Sequence, residues 1–202
     1  MDLVFDKPFI VLDLEATCCD KGTVAREDME IIQIGACLIL PDDPSIVVNE
    51  FNSYVKPNIH PTLTSFCTNL TGITQAQVDC ASSYNEVYSQ FVEWAGDSND
   101  YYLCSWGAYD KNQLIKDCKR AELEYTLGEH YNLKEWFAYK MRCKQMGLSR
   151  ALGMFNMPFE GNHHSAIDDA RNTVRVFNRC LEHLAKRTLK NQTGVARFIR
   201  RK

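Results

Sequence analysis

The chain has 202 residues, 45% of them apolar and 24% charged, an ordinary globular composition that excludes wholesale disorder and collagen-like repeats. That length supports one sizeable core with at most a short appendage. The net charge of −3 hides an asymmetry: seven of the 23 Lys and Arg residues lie beyond residue 183 and none of the 26 acids does, so an acidic body precedes a basic tail.

The first element is an apolar run, Phe9-Ile10-Val11-Leu12, that empties into Asp13-Leu14-Glu15. This is the pattern of a buried strand ending at a site. Lys21 to Asp28 is polar, contains Gly22 and reads as a loop. Residues 30–40 and 46–55 are rich in β-branched side chains and flank Pro41-Asp42-Asp43-Pro44, which predicts two further strands in a meander. Val87, Phe91, Val92 and Trp94 then repeat at helical spacing after Ser82-Ser83, a capping pair. A short apolar strand, residues 101–106, is turned by Gly107 into a helix through Asp110, Leu114, Ile115 and Cys118. Residues 132–146 and 149–155 are shorter helical candidates. The last helix is the clearest: Ile167, Ala170, Val174, Phe177, Leu181 and Leu184 alternate steps of three and four. With no repeat and no interdomain linker, residues 1–185 read as a single α/β domain, followed by the basic tail 186–202.

Four carboxylates fall at element ends in this layout. Asp13 and Glu15, two apart on a strand, share one face. Asp110 lies just past the fourth strand, and Asp169 lies in the first turn of the last helix. Ser165 with Asp168 three residues on resembles a capping box, which predicts a helix start near residue 166. Crowded carboxylates repel, and burial worsens the cost, so they require cations. Hard oxygen ligands select Mg²⁺ or Mn²⁺, and two such ions suit an in-line phosphoryl displacement. A nearby base would be His164. On a continuous helix it would stand about 140° from Asp169, at ~100° per residue, so the two converge only if His164 belongs to the preceding loop.

Three segments carry a resemblance. Asp13-Leu14-Glu15-Ala16-Thr17, Ser105-Trp106-Gly107-Ala108-Tyr109-Asp110 and His164-Ser165-Ala166-Ile167-Asp168-Asp169-Ala170 resemble, in order, the exonuclease motifs of the DEDDh family. Residues 30–35 (Glu-Ile-Ile-Gln-Ile-Gly), 66–75, 132–134 (Asn-Leu-Lys) and 159–164 are similar to the histone-mRNA and RNA-interference-type 3′ exonucleases. The resemblance spans roughly residues 8–182. It implies a ribonuclease H-like fold with a mixed five-stranded sheet flanked by helices. It also implies that Asp13, Glu15, Asp110 and Asp169 hold two Mg²⁺ (or Mn²⁺), that His164 deprotonates the attacking water, and that Asp168 supports the site from behind. His163 is the rival base, five residues before Asp168 rather than Asp169. The implied reaction is 3′-to-5′ hydrolysis of single-stranded or 3′-overhanging RNA to nucleoside 5′-monophosphates. The resemblance puts Leu70-Thr71-Gly72-Ile73 in a loop, with Leu70 and Ile73 as apolar wedges against a terminal base. Trp106 and Tyr109 flank Asp110 and line the pocket or stack, and Ala16 and Thr17 adjoin it. The basic tail is expected to grip upstream phosphates.

Other readings stay open on the sequence. The shared motifs do not separate RNA from DNA, so a DNA 3′-5′ exonuclease of the proofreading or repair type is the nearest alternative. A catalytically dead nucleic-acid-binding module is another, although all four acids and the histidine are present. Cys18-Cys19, near Asp13 and Glu15, with His163 and His164 could make a zinc site, but vicinal cysteines are poor ligands for a closed tetrahedron. The nine cysteines are odd in number and contain no C-x-x-C pair, which is expected of free thiols in a reducing compartment. No apolar stretch is long enough for a bilayer, and residues 1–6 lack a basic leader. An intracellular, cytoplasmic protein (nuclear if eukaryotic) is expected, with no membrane partner.

Overall fold

The computed structural model describes residues 6–199, with side chains described through residue 185. The basic side chains of 186–202 therefore lie outside the described residues. The elements run β1 (Phe9–Ala16), β2 (Ile31–Ile39), β3 (Val47–Tyr54), α1 (Ser65–Thr71), α2 (Gln75–Asp79), α3 (Tyr84–Ala95), β4 (Tyr102–Ser105), α4 (Tyr109–Arg120), β5 (His130–Asn132), α5 (Leu133–Met141), α6 (Leu148–Met154) and α7 (Ala166–Ile199). The sheet order is β3-β2-β1-β4-β5. β1, β2 and β3 form the expected antiparallel meander, while β4 and β5 add on parallel to β1. The result is the mixed five-stranded sheet of a ribonuclease H-like fold.

β1 and β2 are apolar and buried almost throughout because helices cover both of their faces. Phe9 and Val11 point into one core with α5, α6 and α7, built on Leu133, Phe137, Leu152, Ile167, Val174 and Phe177. Ile10, Leu12 and Leu14 point into the opposite core with α3 and α4, among Val87, Phe91, Leu114 and Cys118. Strand alternation therefore assigns Asp13 and Glu15 to the face that α7 crosses. β3 is an edge strand and is correspondingly half-exposed and polar.

Three local features differ from the sequence reading. Residues 65–79, for which the sequence pattern predicts no helix, form two short ones whose N-caps are Thr64 and Thr74. At five and seven residues they are too short for helical periodicity to register. Leu70 and Thr71 consequently lie in the last turn of α1, not in a loop, and Gly72 ends the helix in the left-handed region (φ 72°). Three-residue β5 lacked any alternation to read. Finally, the Ser165–Asp168 capping box does not form. The Asp168 carboxylate accepts from the Asn162 N–H at 3.0 Å and pairs with Arg171 at 2.9 Å. The box does form at Ser83 and Glu86, where α3 begins.

Candidate active site

The site is built where α7 meets the sheet. Asp13 is paired in register with Gly35 on β2, and α7 begins directly above that glycine. A Cβ at residue 35 would collide with the backbone of Ala166 and Ile167. A glycine inside a strand marks such a close backbone approach. Gln33, two residues earlier, accepts the Ala166 N–H at 3.1 Å, giving one of the orphan donors of α7 a partner. Glu30 accepts N–H groups from Asn58, Ile59 and His60 at 2.7–3.1 Å. Residues 30–35 thus seat the helix that carries Asp169 beside the strand that carries Asp13 and Glu15.

One oxygen from each of Asp13, Glu15 and Asp169 falls within 4.8 Å of the others, and among the described residues this is the group that could hold a metal ion. Cys18 and Cys19 do not join it. Cys19 turns into its own loop, accepting the Val24 N–H at 3.1 Å, and Cys18 packs beside Cys67. The zinc alternative therefore lacks its ligand set. Asp110, in the first turn of α4, is 5% exposed and stands at the rim of the trio, close enough for its charge to raise both Asp13 and Glu15.

The electrostatics are those of an uncompensated carboxylate cluster. Burial, then Asp110, Asp169 and Glu15, pushes the Asp13 carboxyl well above its ordinary range. Burial, then Asp169, Cys67 and Asp110, pushes Glu15 up to about 9. Asp110 rises to about 6 through burial, held down by Ser105, by backbone N–H groups and by the Lys134 cation. Asp169 is raised by burial and lowered by the His164 N–H and by both imidazoles. Buried carboxylates that disfavour one another's charge, all hard oxygen donors, fit a divalent cation.

His164 lies in the turn before α7, the only placement compatible with approach to Asp169. It adopts the left-handed region, φ 59°, uncommon for a residue other than glycine. Its N–H donates to Asp169 Oδ2 at 2.8 Å. His163 instead stacks on Phe159, with ring centroids 3.7 Å apart.

The remaining candidates separate. Tyr109 (40% exposed) and Leu70 are open to solvent. Ile73 is 2% exposed, packed with Ile32, Cys67 and Val78, so its side chain is not available as a wedge. Trp106 is half-buried, its indole N–H donates to the Met146 carbonyl at 3.0 Å, and its ring packs on Phe137. Ala16 and Thr17 are buried at the β1 exit, where Thr17 Oγ1 accepts the Glu30 N–H at 2.9 Å. Sequence reasoning assigned no role to Gln33, Gly35 or Lys134. The signal available was the glycine in mid-strand.

The model of the exonuclease family matches residues 10–177. The chain belongs to the exonuclease family. It is 34% identical to ERI1 exoribonuclease 2 of Mus musculus over 188 residues, covering 82% of this chain and 27% of the mouse protein. It is 30% identical to 3′-5′ exoribonuclease 1 of Rattus norvegicus over 183 residues, covering 85% of this chain and 52% of the rat protein. The chain thus spans between about a quarter and a half of these curated relatives. Its fold resembles the nuclease domain of 3′hExo, a DEDDh family member, bound to rAMP: TM-score 0.79, 26% identity, 88% of this chain and 92% of that one. A 3′-exonuclease solved with the histone mRNA stem-loop gives TM-score 0.79 at 25% identity, over 88% and 64% of the two chains. The 3′hExo nuclease domain is thus a DEDDh neighbour of the same fold, and the acidic cluster of this chain offers the oxygen donors that could hold a metal ion.

Proposed function

We propose that the chain is a 3′-to-5′ exoribonuclease that hydrolyses the terminal phosphodiester of single-stranded or 3′-overhanging RNA and releases nucleoside 5′-monophosphates. One observation carries this reading: Asp13, Glu15 and Asp169, from opposite ends of the sequence, converge within 4.8 Å beside a histidine whose backbone is pinned to one of them. The RNA preference is supported by the mouse and rat relatives, both named exoribonucleases, and by the neighbour solved with an RNA stem-loop.

Asp13, Glu15 and Asp169, with Asp110, would hold two Mg²⁺ or Mn²⁺. Such a pair, when bound, stabilises the attacking and leaving oxygens of an in-line displacement at phosphorus. His164 takes the proton of the attacking water at an imidazole nitrogen, general-base catalysis worth about 10²–10⁴-fold. The hydrogen bond from its N–H to Asp169 ties the base to the acidic cluster. Leu70, exposed at the end of α1, offers an apolar surface to the terminal base. Buried Ile73 supports that turn from below, and Trp106 supports the Asp110 turn in the same way. Tyr109 borders the terminal nucleotide on the other side, with Ala16 and Thr17 as its floor at the end of β1. Duplex ends are disfavoured because the last base must be unstacked to enter. The basic residues of 186–202 supply a non-specific grip on upstream phosphates. A reducing intracellular, cytoplasmic setting is the reading that nine free cysteines support.

The test is a panel of matched RNA and DNA oligonucleotides with 3′-overhang, blunt and stem-loop ends, in Mg²⁺, Mn²⁺ or EDTA. The expected result is stepwise loss of 5′-monophosphates from RNA overhangs, abolished by EDTA. Faster attack on DNA would transfer the reading to the repair type. RNA binding without metal-dependent hydrolysis would leave a non-catalytic module.

A further inference from the structure

We propose that the groove between α4 and the 24–29 loop binds the sugar–phosphate backbone of the RNA strand just upstream of the nucleotide being removed. The proposal rests on the RNA reading above and adds where the strand runs after it leaves the acidic cluster. The groove has a volume of about 580 Å³ and is lined by Arg26, Glu27, Tyr109, Asn112, Gln113 and Lys116. On α4 these side chains recur at steps of three and four, so they form one helical stripe. Tyr109 joins the groove to the cluster: it sits next to Asp110 in sequence, and its phenol lies in the field of Asp110 and Glu15.

Charge singles this face out. α4 carries two acids, Asp110 and Asp117, and both are buried. Every charged side chain of α4 that reaches solvent is basic: Lys111, Lys116, Lys119 and Arg120. On a chain with a formal charge of −3, the pair of cations lining the groove, Arg26 and Lys116, is the feature that steers a polyanion. The groove is also preformed. Gln113 donates to the Met29 carbonyl at 2.8 Å, Lys116 to the Arg26 carbonyl at 3.0 Å and Arg120 to the Glu27 carbonyl at 2.6 Å, so the loop is fastened to the helix. The guanidinium of Arg26 makes no ion pair among the described residues and lies close enough to Lys116 to repel it. Two neighbouring cations of this kind are relieved by a phosphate between them, which accepts from a guanidinium fork and an ammonium together. Tyr109 offers a ring face on which a base of any identity can stack. Glu27 is the one acid on the rim, and it predicts an effect of opposite sign.

The experiment compares Arg26→Glu and Glu27→Lys with the unaltered protein on a dinucleotide and on a single-stranded dodecamer RNA. Neither side chain holds the loop to the helix, so the fold is spared. Arg26→Glu is expected to raise KM for the dodecamer about tenfold and to leave its kcat and both dinucleotide constants unchanged, while Glu27→Lys lowers the dodecamer KM. Fluorescence anisotropy of a labelled dodecamer in EDTA, across a salt series, should show the slope of log Kd against log salt reduced by about one in Arg26→Glu. Unaltered dodecamer affinity in Arg26→Glu, or an equal loss on the dinucleotide, overturns the groove. Failure of the exonuclease reading looks different, because the unaltered protein would then cleave neither RNA while the anisotropy arm still tests the groove.

Discussion

His164 is held in a backbone conformation that its side chain does not favour, and its N–H points at the carboxylate of Asp169. Strain of this sort persists where the surroundings over-determine it, and here one hydrogen bond fixes the base relative to the acids. Replacing the imidazole should remove proton transfer without touching the ligands. His164→Ala is therefore expected to cut turnover by at least about 10²-fold while calorimetry shows unchanged metal affinity; near-normal turnover would exclude the residue from the mechanism. Asp13→Ala, which deletes a carboxylate from the cluster itself, should abolish both activity and metal binding. The acids also make a stability prediction. Glu15 is raised from 4.5 to about 9 in the folded chain, so between those values the native state holds a proton that the unfolded state has released. Stability must then fall as pH rises through that window, and Asp110, raised to about 6, acts in the same direction over its lower part. Thermal melts in EDTA should show Tm declining from pH 5 to pH 9, with excess Mg²⁺ flattening the decline because the cation replaces the proton. A rise of Tm with pH in EDTA would contradict the burial of these groups.

α7 is the element on which the site depends, and its position is set by two small features of β2. Gly35 lets the helix backbone touch the strand, and Gln33 satisfies the Ala166 N–H. Their partner strand β1 presents Asp13 at the level of Gly35, so seating the helix and assembling the carboxylates are one event. A methyl group at residue 35 meets rigid backbone rather than a side chain able to turn aside. Gly35→Ala should accordingly cost about 1–3 kcal/mol or more in urea unfolding, with loss of activity even where the protein still folds, since Asp169 is displaced. An equally stable, fully active Gly35→Ala would show that α7 is not seated in this way. α4 works differently. It buries both of its acids, Asp117 among them, which accepts from Ile31, Gln113 and Arg120, and turns Lys116 to the groove.

At the scale of the molecule, the proposed function asks an acidic body to work on a polyanion. Under that reading, cations at the cluster, Arg26 and Lys116 in the groove and the basic residues of 186–202 reconcile the two. Deleting residues 186–202 should weaken RNA binding and flatten its salt dependence, with little change in turnover at saturation; binding unaltered across a salt series would make those residues irrelevant to substrate. Among the described residues, no helix is long and apolar enough to cross a membrane. The strands β1 to β4, the helices α3 and α7 and the identity of the converging acids were legible along the chain. Alternation of burial, cap residues and step-of-three-or-four periodicity are local properties that survive in one dimension. Short α1, α2 and β5 were not, because three, five or seven residues carry too little periodicity. Nor were the burial of Ile73, the inward turn of the Trp106 indole and the clamp of Asp168 on Asn162. Each of these depends on which distant backbone atoms arrive beside the side chain. The same holds for Gly35: its residue type was readable, but the helix that needs its missing Cβ begins more than a hundred positions later, and only packing in three dimensions brings the two together.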